Sequence, residues 1–190
     1  VALLVYVVTL LINRASGVDA EAVIRDLAQS CNLALGVGML SNFGYLLWAA
    51  AAAIALFGAS LIAAGGSGRQ RQLLLCGGAF SALLCLDDMF LLHDKYIGST
   101  FLYLLYAVFA LLILLRFRGL VLALGGPSFL VSVLLLGSSI LLDKLQDVLP
   151  FGYDNVQLFE EGFKFMGIAA WVHFWWQAAA DGARRGRPAS

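Results

Sequence analysis

Apolar runs about as long as a bilayer's hydrocarbon core is thick, set apart by short charged segments, limit what this chain can fold into. Residues 35–64, 73–92, 101–115, 120–142 and 156–180 read as membrane spans. The run over residues 1–12 falls short of about 20 residues and reads as a first, truncated span. A signal-peptide core is the competing reading there, but no AxA-like cleavage site follows the run. The runs lack the alternation of a membrane β-barrel, so the expected fold is all-α, a polytopic transmembrane helical bundle of about six spans. Composition agrees: 62% of the 190 residues are hydrophobic and 13% charged, against about 45–50% and about 25% in soluble domains.

The spans imply one transmembrane domain over residues 1–182, followed by a polar cytoplasmic tail, residues 183–190, with no packing face of its own. Between the first two spans, Val18, Ala22, Ile24, Leu27 and Ala28 fall mostly at helical spacing with Asp19 placed to cap. A short interfacial helix is expected near residues 19–30. Gly65, Gly66, Ser67 and Gly68 make a flexible turn, and Pro150 and Gly152 break the chain before the last span. There is no internal repeat of the kind many transporters carry.

Charge sets the expected orientation. After the second, fourth and sixth spans lie Arg69, Arg71, Arg116, Arg118, Arg184, Arg185 and Arg187, with Asp181 the only acid among them. The opposite side receives the other eleven acidic residues, together with Arg14, Arg25, Lys95, Lys144 and Lys164. The positive-inside rule then places both termini in the cytoplasm of a bacterial inner membrane. A net charge of zero and the lack of a dense basic stripe set nucleic acid aside as a partner. Cys31, Cys76 and Cys85 show no CxxC spacing and read as small core residues.

Three span ends meet on the acidic side. Asp87, Asp88, His93 and Asp94 close the third span, Asp143 and Asp147 the fifth, and Glu160, Glu161 and Lys164 open the sixth. Asp87 and Asp94 are seven residues apart and Asp143 and Asp147 four, so each pair shares a helical face, and both glutamates lie within reach of Lys164. Ionisable groups in hydrocarbon cost about 2.5–3.5 kcal/mol on insertion scales and usually face a cavity. On a continuous helix, Asp87 and Asp88 would sit about 8–10 Å below His93. One of the two acids is expected to enter the cavity and the other to pair with a neighbouring helix. The alternative is that all these charges lie among headgroups and pair with Lys95, Lys144 and Lys164.

Carboxylates with one imidazole suit a divalent metal, for which Asp87, Asp88, His93, Glu160 and Glu161 are the candidate ligands, although no ExxH element is present. Without a metal, a carboxyl beside an ionised one can do acid–base work or relay protons. His173 lies twelve residues beyond Glu161, about 18 Å along a helix, and cannot share that site. Its neighbours Trp171, Phe174, Trp175 and Trp176 read as an interfacial aromatic belt, and a ligand for a tetrapyrrole metal or for a polar lipid head is the second reading of His173. Ser41 and Asn42 beside Gly36, Gly38 and Gly44 read as a close-packing helix surface.

The segment Leu86-Asp87-Asp88-Met89-Phe90-Leu91-Leu92-His93-Asp94, with Glu160-Glu161-Gly162-Phe163-Lys164-Phe165-Met166-Gly167, resembles a group of uncharacterised small polytopic bacterial membrane proteins with LDDxFxxHD and EEGFKxxG helix motifs. That resemblance covers about residues 35–180 and implies the helical architecture alone. Ser41-Asn42, Asp87-Asp88 and Trp171 to His173 are also distantly similar to elements of ceramidase-like membrane hydrolases, which would imply zinc and amide hydrolysis. Two function classes follow. The preferred one is an accessory or structural subunit, its helices packed against a larger membrane complex and the lipid bilayer. The alternative is a membrane-embedded carboxylate/His site for metal or proton binding, extending to metal-dependent hydrolysis of a lipid-like substrate.

Overall fold

A computed structural model describes residues 2–24, 31–34, 36–62, 68–146, 148, 150 and 152–185. The described residues are all-helical in their regular structure: α1 Ala2–Ala15, α2 Ala20–Ile24, α3 Met39–Leu61, α4 Gly68–Phe90, α5 Leu92–Lys95, α6 Ser99–Leu145 and α7 Tyr153–Arg185. Two compact units are distinguished, Val1–Met39 and Leu40–Ser190. The expected glycine turn at 65–67, part of the interfacial helix at 25–30, Asp147 and the tail end at 186–190 lie outside the described residues. In the first unit, α1 is 14 residues long and α2 five, and the Val18 amide donates to the Asn13 carbonyl between them (2.9 Å).

In the second unit, α3, α4 and α6 are long and apolar enough to cross a membrane. The expected count of about six is not reached on that basis: α1 is short, and α7 carries Glu160, Glu161 and Lys164 within its 33 residues. The 47 residues of α6 cannot form one straight rod, because Lys144 Nζ donates to Ser99 Oγ at 2.7 Å. A continuous helix would hold those residues about 68 Å apart. The chain bends at Phe117 (φ −120°, ψ 19°) and Gly125 (φ 159°, ψ 40°) and folds back on itself. Its arms, residues 99–116 and 126–145, are about 27 and 30 Å long, each the depth of a bilayer core. Glycine is needed at the second bend, where a Cβ would also strike the Gln177 side-chain amide.

The bundle has two chemically distinct ends. Arg69 donates to the Arg116 carbonyl (3.1 Å), and buried Gln70 donates to the Ala178 carbonyl (3.0 Å) and Asp181 (3.2 Å). The basic helix ends on α4, the α6 bend and α7 therefore gather on one side, and Ser99 and Lys144 mark the other. α7 runs through Arg185, beyond the expected tail boundary at residue 183.

Between the ends, the core is aromatic and tightly packed. Trp171 lies against Trp48, Phe80, Phe129 and Trp175 with ring centroids 5.3–6.3 Å apart. Its indole N–H donates to Ser81 Oγ (2.8 Å), whose hydroxyl donates to the Gly77 carbonyl (2.8 Å). Trp171, Phe174 and Trp175 are buried and only Trp176 is exposed, so the expected aromatic belt is instead mostly core. Of the cysteines, Cys85 is buried and Cys31 and Cys76 are exposed, which corrects the expectation that all three pack inside. Large apolar side chains such as Phe57, Leu104 and Leu134 cover the outside, as contact with lipid requires.

Candidate functional site

The local break after α4 creates the site. Leu91 adopts the left-handed region (φ 51°, ψ 44°), where an L residue other than glycine pays about 1–2 kcal/mol. The helix stops there and restarts as α5, which turns His93 back toward Asp87. The His93 amide donates to Asp87 Oδ1 (2.8 Å), and His93 Nδ1 meets Asp87 Oδ2 at 2.9 Å. The expected 8–10 Å separation is thus overturned, since it assumed a continuous helix. Asp87 itself is only 3% exposed, and Tyr106 lines the cavity with it.

Asp88 turns to other helices. Lys164 Nζ on α7 lies 2.8 Å from its Oδ1, and the Trp48 indole N–H on α3 donates to its Oδ2 (2.9 Å). Three helices are therefore tied through one carboxylate. Asp143 pairs with its neighbour Lys144 at 3.1 Å, and the Lys144 ammonium also lies over the Tyr103 ring, 5.1 Å from its centroid.

A cavity of about 500 Å³ opens among these groups. Asp87, Asp88, His93, Asp143, Glu160, Glu161 and Lys164 all line it. Asp94 lies on α5 with its side chain outside the described part, as Asp147 is altogether. Ser41 lines the cavity, whereas Asn42 Oδ1 accepts from the Tyr45 hydroxyl (2.9 Å). His173 is absent from the lining, as its distance along α7 requires, and its Nδ1 lies 2.9 Å from Ser128 Oγ on the exposed flank of α6. Trp48, Tyr103, Tyr106 and Trp171 also line the cavity, and sequence reasoning missed the first three. The two tyrosines stand three apart in an apolar run, a spacing that puts both hydroxyls on one helical face.

Among the described residues, no group of three His, Cys, Asp or Glu side chains is disposed to hold an ion. Asp87 oxygens are engaged by His93, and Asp88 oxygens by Lys164 and Trp48.

A family described as a domain of unknown function, DUF8692, matches residues 1–178. The chain belongs to this family. The match spans the whole cavity and both motif segments, so the lining residues on α3, α4, α6 and α7 all fall within the family's domain. No curated protein and no solved structure matches the chain, and the likeness to ceramidase-like hydrolases finds no support in a named relative.

Proposed function

We propose that this is an integral membrane protein whose cavity is a ligand site with acid–base capacity, centred on Asp87 and His93. One observation carries the reading: a nearly fully buried carboxylate grips the imidazole and amide of one histidine on the wall of a cavity of about 500 Å³. A carboxylate that accepts from Nδ1–H fixes the tautomer and leaves Nε2 as the basic atom. Proton uptake at Nε2 gives an imidazolium whose charge Asp87 offsets, and release of that proton restores the neutral ring. The accessory-subunit reading has no comparable observation, because an apolar outer face is what lipid alone requires.

The test uses the scarcity of histidine, of which the chain has two. With His173→Gln, His93 is the only imidazole, and nitrogen NMR of labelled protein in nanodiscs reads it directly. The expected result is a neutral ring fixed in the Nδ1–H tautomer, which protonates reversibly at Nε2 as the pH is lowered and becomes a tautomer mixture in Asp87→Ala. An Nε2–H tautomer, or a tautomer balance unchanged in Asp87→Ala, overturns the proposal.

The topology proposed with this function has about six crossings of a bacterial inner membrane, the basic end of the bundle and the C-terminus being cytoplasmic. Cysteines introduced at Arg69 and Arg185 should then react with an impermeant thiol reagent only after the membrane is opened, and one at Asp154 should react in intact cells. The reverse pattern would sink the orientation.

A further inference from the structure

The lining of the cavity changes character with depth in the same direction on several helices. On α7 it passes from Glu160 to Trp171, about 16 Å along the helix, and on the second arm of α6 from Asp143 to Val133, about 15 Å. On α4 it passes from Asp88 to Phe80, about 12 Å. A cavity that is polar at one end and apolar at the other matches a molecule of the same polarity. A volume of about 500 Å³ falls in the range of small-molecule sites, about 300–1,000 Å³. It gives room for a head and one chain.

The sign of the head follows from the charges at the polar end. Five carboxylates line the described cavity, against one ammonium, Lys164, and one imidazole. Even with Lys144 beside Asp143, negative charge is in excess. Trp48, whose indole N–H edge meets Asp88, and Tyr106 also line the cavity, and an ammonium head that reaches either ring face gains a cation–π contact. An anionic head would meet like charge in a medium that screens it poorly. We infer that the cavity takes a single-chain amphiphile with an ammonium head, the head among the carboxylates and the chain directed toward Phe80 and Trp171. This rests on the reading of the cavity as a ligand site; the polar-to-apolar gradient argues for the amphiphile, and the excess of carboxylates for the sign of its head.

Tryptophan fluorescence tests the inference, because Trp48 and Trp171 line the cavity and a bromine on a chain end quenches a nearby indole. Trp176→Phe first removes the exposed indole, which quencher dissolved in lipid would reach. In phosphatidylcholine nanodiscs, three probes with the same terminally brominated dodecyl chain are compared, carrying trimethylammonium, sulfate or maltoside heads. The expected result is saturable quenching by the ammonium probe, reversed by its unbrominated analogue, with an apparent affinity about tenfold above that for the other two. Glu160→Gln with Glu161→Gln should abolish most of that preference while leaving thermal unfolding in place. Saturable quenching that favours sulfate or maltoside overturns the ammonium head and leaves the cavity as a ligand site. Absence of saturable quenching by all three overturns both, and a preference unchanged in the double variant overturns the head assignment.

Discussion

Gly77→Ala is expected to destabilise the bundle by about 3 kcal/mol, the upper part of the usual range for overpacking a core. A Cβ at Gly77 would overlap the ring of Trp175, and Trp175 has nowhere to go. It is fully buried, with Trp171 at 5.3 Å and Phe174 at 4.8 Å between ring centroids. Association of apolar helices in lipid rests largely on close packing at small residues, so separating α4 from α7 here removes contacts that the hydrophobic effect does not replace. The same helices carry Asp87, Asp88 and Lys164, and the loss should reach the cavity. Unfolding in nanodiscs, followed by near-UV circular dichroism, reads the effect. Adding Trp175→Phe, which shortens the ring and removes an indole N–H that has no partner among the described residues, should recover part of the loss. An unfolding midpoint unchanged in Gly77→Ala would mean that α4 and α7 do not approach this closely.

The all-helical class was legible because its causes are local in the chain. Apolar runs of bilayer length set the helices; α6 bends at Phe117, just past the expected end of the fourth span, and again at Gly125, inside the span expected at 120–142. The aromatic segment of α7 was legible too, though it was read by composition instead of period. Trp171, Phe174, Trp175 and Ala178 stand at i, i+3, i+4 and i+7, the spacing of a buried stripe, and all four are in the core. His93 was a different matter. Its distance from Asp87 depends on a left-handed residue at Leu91, a position with no glycine or asparagine to announce it, so helical counting set apart two groups that meet. The choice of Lys164 for Asp88, when Glu160 and Glu161 lie on its own helix, depends on how α4 and α7 rotate against each other. Spacing within one helix carries no information on that rotation.

Lys164→Met should destabilise the protein by about 3 kcal/mol, and the reason lies in what it leaves behind. Asp88 is a partly buried carboxylate, its side chain 13% exposed, and Lys164 is the cation against it. Removing one member of such a pair typically costs about 3–5 kcal/mol, because the other charge keeps its desolvation penalty without the compensating attraction. The lower end applies here, since Lys164 is 29% exposed and some solvent reaches it. If uncompensated charge is the cause, neutralising it should reverse the effect. Asp88→Asn with Lys164→Met should therefore be clearly more stable than Lys164→Met alone, the asparagine oxygen still accepting from the Trp48 indole. Unfolding midpoints of the two single variants and the double variant close a double-mutant cycle, and the coupling should amount to about 2 kcal/mol or more. Additive losses would show that Asp88 and Lys164 act apart. The tie through one carboxylate from α3 to α7 would then contribute nothing to holding the helices around the cavity.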